Sequence, residues 1–370
     1  MKLRLWSPES DCYLNLDALR FVAAAAVVIY HYGVLLAWTP AFRPLDRAFE
    51  ALPVAVDLFF VISGMIMFEI YGRRLSGWSA YGGFLRKRFA RLAPLHYATL
   101  LFFVVAVAAA TALGFSTGDA RTFEPRCIAP NLTFLQAFDV CRALTFNKPS
   151  WSISAEMAMY VALPAFLWIA ARRPLAWGLV GGFLAIALID DLRGLNGWPT
   201  QTYGFGVLRA IPSFLLGVLL ARASAPLAKI PAPGLLMGLS LAALALECAL
   251  GADPFTRIVT TYAVAAFALA ADRRRQVTAV MRGLAPMGRL TFSIYMLHHP
   301  LGWALISVVG VKILHLSGVE LNLAVAATAV LVAPLSVASL FLFEEPMRRV
   351  LSGRGKKAGR SPAAVPVQAH

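Results

Sequence analysis

Residues Leu16 to Trp38 read LDALRFVAAAAVVIYHYGVLLAW. The run is apolar and long enough to cross a bilayer as a helix, which takes about 20 residues. Two side chains set it apart from a plain anchor: Arg20 in the first turns and His31 deeper in. A charged side chain at mid-membrane costs at least roughly 2.5–3.5 kcal/mol unless it faces protein or a watery cavity. Eleven residues turn an α-helix by three turns plus about 20° and raise it by about 16.5 Å. Arg20 and His31 therefore share one face at two depths, and a polar path along this helix is expected.

The rest of the chain repeats the apolar pattern. Of its 370 residues 59% are hydrophobic and 14% charged, with a mean hydropathy of +0.69. Soluble domains carry about 25% charged residues. The fold class that follows is an all-α polytopic membrane protein, a bundle of about ten transmembrane helices. The expected spans are 16–38, 54–71, 92–113, 153–171, 175–189, 205–221, 233–250, 256–271, 291–309 and 321–343. The net charge of +15 would suit nucleic acid, but the basic residues sit in short clusters between apolar runs. Such clusters report topology, not a nucleic-acid partner. The densest lie at Arg73–Arg91, Arg273–Arg289 and Arg348–Arg360, and place both termini in the cytoplasm.

The organisation expected is a cytoplasmic N-terminal segment (1–15), one ten-helix membrane domain (16–350) and a disordered cytoplasmic tail (351–370) rich in small and basic residues. The first span is expected to stay as an anchor, since Arg20 interrupts what would be the core of a signal peptide. Among Cys12, Cys127, Cys141 and Cys248 no pair has metal-ligand spacing. Cys127 and Cys141 share the longest outward loop, where a disulfide and two free thiols are both open readings.

Five stretches carry residues suited to chemistry. Neutral imidazole can take a proton from a hydroxyl, so His31 is a candidate general base; the plainer reading is a hydrogen bond to a neighbouring helix. Asp57, in the first turns of VDLFFVISGMIMFEIY, is expected at a height comparable with His31 and able to fix its tautomer, or simply to favour a helix N-terminus. Ser63-Gly64 in that span allow close helix approach. Arg88 and Arg91, three apart in RKRFARLAP, share a face and suit a phosphate, although positive-inside anchoring would explain them as well. In PSWSISAEMAMY, Glu156 either assists His31 or serves as a helix-start acid, and Trp151 offers a sugar-stacking platform or an interfacial ring. In GRLTFSIYMLHHPL, Tyr295 and His298 share a face, and His298-His299 at mid-membrane imply a cavity or a partner. No carboxylate stands at ligand spacing from them, so no metal is expected.

Taken in order, these stretches resemble the membrane-bound acyltransferase-3 family, in particular its exopolysaccharide and O-antigen O-acetyltransferase branch. Arg20 to His31 is similar to the family's Arg-(ten residues)-His, and Arg88 with Arg91 to its Arg-x-x-Arg. Val56–Gly64, Trp151–Glu156, Ser293–His298 and the closing Glu344/Glu345 with Pro346 are similar to its remaining motifs. The resemblance covers about residues 14–350. It implies ten helices, an acyl-CoA donor (acetyl-CoA foremost) taken from the cytoplasm, no resident cofactor, and an acceptor hydroxyl on a cell-surface glycan or lipid-linked sugar outside a bacterial inner membrane.

The expected enzyme is thus an integral membrane O-acyltransferase. His31, Asp57 and Glu156 are its catalytic candidates, Arg20, Arg88 and Arg91 its CoA-phosphate ligands, and Trp151, Tyr295 and His298 its acceptor contacts. The rival readings are a proton-coupled transporter, for which Arg20, His31 and Asp57 would form a relay, and a non-catalytic membrane subunit. A transporter often shows an internal repeat, and none is visible here.

Overall fold

The computed structural model describes residues 13–36, 43–72, 74–114, 120–194, 197 and 201–353. The expected N-terminal segment, apart from its last three residues, and the expected tail from 354 onward lie outside this range. Among the described residues every regular element is helical and no strand occurs. The long helices are α1 (Leu14–Gly33), α2 (Ala55–Tyr71), α3 (Trp78–Ala112), α4 (Trp151–Val161), α5 (Leu163–Ala171), α6 (Arg173–Leu192), α7 (Gly206–Arg222), α8 (Pro233–Leu250), α9 (Pro254–Arg273), α10 (Thr291–Leu301) and α11 (Gly318–Ala338).

Among the described residues eight helical segments are long and apolar enough to cross a membrane, and a ninth arises if α4 and α5, bent by 59° across their junction, count as one span. The region 153–171, expected as one span, is this bent pair; Pro164 at the start of α5 cannot supply a helical N–H. α7 has 17 residues, at the short limit for a crossing, and nearly all of it is buried inside the bundle. α3 begins at Trp78, well before the expected 92, so Arg88 and Arg91 lie within a helix and not at its start.

The centre of the bundle is the pair α2–α7. A Cβ added at Gly64 would lie 2.1 Å from Phe214 O, and one at Gly217 would lie 2.0 Å from Val61 O. Both are less than van der Waals contact, so the two helices meet backbone to backbone. Small residues permit this, and dispersion then contributes where lipid offers no hydrophobic drive. Across the same interface Arg209 of α7 and Asp57 of α2 form an ion pair, each side chain 2% exposed.

α1 packs against α2, α9 and α10. Its first N–H groups are satisfied from outside the helix: the Asp272 carboxylate accepts from the backbone N–H of Asn15 (2.9 Å) and Leu16 (3.1 Å) and from Asn15 Nδ2 (2.8 Å). An anion at a helix N-terminus also suits the dipole. α6, α8 and α11 turn large apolar side chains outward, among them Ile186, Leu239, Leu246 and Val330. Such a surface belongs against lipid tails.

The loop preceding α4 folds over one end of the bundle. Cys127 and Cys141 are joined by a disulfide, with Cα atoms 6.0 Å apart. Asn147 Nδ2 donates to Thr99 Oγ1 (3.1 Å) and to Met296 O (3.0 Å), and a ring nitrogen of His96 binds Asn131 O at 2.8 Å. These bonds tie the loop to α3 and α10. Beyond α10 the chain continues as a π-helical stretch, Gly302–Ile313, a wider winding that occurs frequently at functional sites.

Candidate active site

Two cavities flank α1. The first, of about 140 Å³, is lined by Arg20, Arg88 and Arg91 together with Ser63, Glu156, Tyr160 and Tyr295. The second, of about 300 Å³, is lined by His31, Tyr32, Thr122, Phe123, Lys148, His299 and Trp303. The shared face of Arg20 and His31 is therefore real, but each residue faces a separate cavity. Between the cavities stand α10 side chains. Tyr295 lines the arginine cavity, its ring lies 6.0 Å from that of His298, and the His298 ring lies 4.9 Å from that of His31.

In the arginine cavity, α1 contributes Arg20 and α3 contributes Arg88 and Arg91. Arg20 has Asp17 at 3.7 Å, one turn back on α1. Arg88 is held by Tyr71, whose hydroxyl accepts from Nη2 at 3.1 Å, and its guanidinium lies 5.3–5.9 Å from the ring centres of Tyr71, Phe84 and Tyr160. Aromatic faces attract a desolvated cation and fix its orientation. The Arg88 Nε is buried without a hydrogen-bond partner. Such a donor costs free energy unless an acceptor arrives, and a planar guanidinium suits a phosphate oxygen. The Glu156 carboxylate accepts from the Tyr160 hydroxyl and from Ser63 Oγ (3.2 Å).

In the histidine cavity, His31 Nδ1 lies 2.9 Å from Val27 O, and His298 Nδ1 lies 3.1 Å from Ile294 O. A carbonyl oxygen only accepts, so in both neutral rings Nδ1 carries the proton. The lone pair of His31 is thereby left on Nε2, the nitrogen able to take a proton. His298 Nε2 lies 3.4 Å from His31 Nδ1 and shares its N–H with Val27 O. Tyr32 holds this histidine in place by donating to His298 O at 2.8 Å.

The expected partners of His31 are arranged differently. Both Asp57 oxygens accept from Arg209, at 3.2 and 2.6 Å, so Asp57 closes an ion pair between α2 and α7 and the carboxylate–imidazole contact expected with His31 is not made. Helix α4 directs Glu156 into the arginine cavity, and the expected outer-mouth position beside His31 gives way to one beside Arg88 and Arg91. Trp151 is buried among Phe60, Gly206 and Arg209 and lines neither cavity, so its ring face is not presented as a platform. Tyr295 and His298 are buried as well. The Tyr295 hydroxyl is bonded to Ser152 Oγ at 2.7 Å and to Pro149 O at 3.2 Å. Among the described residues no group of three His, Cys, Asp or Glu could hold a metal ion.

Three residues of the site were not anticipated. Arg209 carried a usable signal, because a lone arginine inside an apolar span needs a carboxylate and Asp57 is a carboxylate inside another. Lys148 and Trp303 carried none, since the first meets the His31 cavity only through the folding back of the loop and the second only through the π-helical winding after α10. The closing motif is an anchor: Glu344 accepts from Ser293 Oγ (2.6 Å) and Ser339 Oγ (2.7 Å), and Glu345 pairs with Arg289 at 2.7 Å.

Comparison with known proteins identifies the family. The chain is 28% identical over 188 residues to the acyltransferase MdmB of Streptomyces mycarofaciens, covering 47% of this chain and 44% of that protein. It is 32% identical over 158 residues to protein 2 in the picA locus of Rhizobium radiobacter, covering 40% of this chain and 78% of that protein. The aligned stretch thus spans less than half the length of MdmB. No solved structure matches the chain. A family model described as an acyltransferase domain matches residues 13–343, nearly the whole chain, and the protein belongs to the acyltransferase-3 family of membrane acyltransferases.

Proposed function

We propose that the protein transfers an acyl group, acetyl foremost, from cytoplasmic acyl-CoA to a hydroxyl of a cell-surface glycan or lipid-linked sugar. It does so from a bacterial inner membrane in which both termini face the cytoplasm. The observation that carries this reading is the pair of cavities on one helix: Arg20 meets Arg88 and Arg91 in the first, and His31 lines the second. Guanidinium groups suit the CoA phosphates. A cavity of about 140 Å³ is too small for the nucleotide, which lies at its mouth while the pantetheine arm enters. Glu156 accepts from an amide N–H of that arm. To reach His31 the thioester has to part the edge-to-face contact of Phe59 and Tyr295, whose ring centres stand 5.8 Å apart.

His31 Nε2 then removes the proton of the acceptor hydroxyl. The hydroxyl oxygen attacks the thioester carbonyl, the ester C–O bond forms and the C–S bond breaks. The CoA thiolate leaves with the proton from the imidazolium. As His31 becomes charged, its Nδ1–H is held by Val27 O and His298 Nε2, which share the task that a carboxylate has in a serine-hydrolase triad. Asp57 acts through Arg209 on the α2–α7 interface.

The test is mass spectrometry of cell-surface glycans from cells with and without the gene, together with labelled acetyl-CoA supplied to membranes. A mass difference of one acetyl group that disappears in His31→Ala is expected. Full acylation by a folded, inserted His31→Ala protein refutes the assignment of the base.

A further inference from the structure

Building on the acyltransferase reading, we infer that the histidine cavity is the acceptor site and that the acceptor sugar carries an anion, a carboxylate or a phosphate, on the acylated ring or the ring next to it. The cavity has one wall of aromatic rings and one cation. Trp303 is wedged by Phe102, Phe103 and Phe123, at ring distances of 6.1, 5.5 and 6.1 Å. A fixed indole beside His31 is a platform on which the C–H face of a sugar stacks, the task that buried Trp151 does not offer. The π-helical winding that begins at Gly302 carries Trp303 into this wall.

Lys148 supplies the charge. It is exposed and has no ion-pair partner among the described residues, and no Asp or Glu lines the cavity. The nearby acid of the same loop, Glu124, is already paired with Arg126 at 2.5 Å. Asn147, bonded to α3 and α10, fixes the backbone from which Lys148 reaches the cavity. The ring of His299 closes the same wall. A volume of about 300 Å³ corresponds to roughly ten waters at about 30 Å³ each. That is room for one or two sugar rings, so a group held by Lys148 cannot be far from the hydroxyl at His31. A neutral glycan makes no charge contact with this ammonium, and an anionic one adds an attraction to it.

The full chain is tested in its own membrane. Acylated glycans and lipid-linked sugars are isolated from cells carrying wild type, Lys148→Gln, Lys148→Arg or Trp303→Ala, and the acylated residue is located by tandem mass spectrometry. The fragment masses separate a uronic-type carboxylate from a lipid-linked phosphate. The acyl group is expected on a residue that bears or adjoins one of these anions. Lys148→Gln should raise the acceptor KM by about 1.5- to fivefold, the range of an exposed charge contact. Lys148→Arg should restore it, and KM for acetyl-CoA should stay constant throughout. Acylation of a neutral residue remote from any anion, or an unchanged acceptor KM in Lys148→Gln, overturns the inference and leaves the acyltransferase reading standing. Absence of any acyl mass difference between wild type and a gene deletion strikes the acyltransferase reading itself.

Discussion

Replacing Asp57 by alanine separates a structural carboxylate from a catalytic one. Arg209 and Asp57 lie 2.6 Å apart at their closest, and each side chain is 2% exposed. At an effective dielectric constant of about 20, charges at that distance attract by about 6 kcal/mol. Much of this offsets the hydration both ions gave up, so the pair as a unit contributes little net stability. Deleting one member is another matter, because it strands a buried guanidinium; the cost is about 3–5 kcal/mol. Against a typical total of about 5–15 kcal/mol, Asp57→Ala should leave a protein that melts roughly 5–10 °C lower. The fraction that stays folded should transfer acyl groups at nearly the wild-type rate. The double variant Asp57→Leu with Arg209→Met, which removes both charges, should recover most of the lost stability. The assay is thermal unfolding of the purified full chain in detergent, with turnover normalised to folded protein; wild type, Asp57→Leu, Arg209→Met and the double variant form a double-mutant cycle. A melting point unchanged in Asp57→Ala, with turnover lost, would refute this reasoning and return Asp57 to the chemistry.

Four further outcomes are expected. His298→Ala should lower kcat by about ten- to a hundredfold, part of the 10²–10⁴ that general-base catalysis contributes, with KM for acyl-CoA unchanged; steady-state kinetics on membranes check it, and an unaltered kcat removes His298 from the positioning of His31. Arg88→Ala should weaken acyl-CoA binding by about ten- to a hundredfold, the loss of one charge-assisted contact of about 1.5–3 kcal/mol, as read by equilibrium binding of labelled acyl-CoA; unchanged affinity excludes the phosphate role. Gly217→Ala places a Cβ 2.0 Å from Val61 O, and the strain should cost about 1–3 kcal/mol or more, seen as a lower melting point or a loss of folded protein from the membrane. Cys127→Ser with Cys141→Ser opens a loop closed across 14 residues, a loss of roughly 3 kcal/mol; because Thr122, Phe123 and Lys148, which flank that loop, line the histidine cavity, the acceptor KM should rise while the acyl-CoA KM holds.

What could be read from the sequence divides along a physical line. Helices, their approximate limits and the small-residue contact at Gly64 follow from local composition and period. The joining of Arg20, Arg88 and Arg91 follows too, since charges buried in apolar segments must gather where a cavity or ligand accepts them. Partner choice is different, because a sequence fixes the height of Asp57 on its helix but not which neighbour its carboxylate faces. His31 is the partner expected from depth alone, but Arg209 takes the carboxylate, because its fixed positive charge holds a buried carboxylate more strongly than neutral imidazole does. The same limit misplaced Glu156 and Trp151. Their stretch was read as the start of a straight span, whereas a 59° bend at its end tilts this segment so that Glu156 enters the arginine cavity.

The division into two cavities bears on the chemistry as well as the fold. A thioester is open to attack by any water that reaches it, and an enzyme working between two aqueous sides must keep both waters from the reacting carbon. A single continuous channel from Arg20 to His31 would have let them in. Here Tyr295 is fixed by bonds to Ser152 and Pro149, and His298 is fixed by Ile294 O and Tyr32. Together they stand between the arginine side and the histidine side. Each of the two has a hydrogen-bonded frame, so the partition stands closed until the pantetheine arm parts Phe59 from Tyr295. The same frame presents His298 Nε2 to His31. The residues that part the cavities thus also hold His31, the proposed base, and a variant that loosens them should leak hydrolysis and lose transfer together.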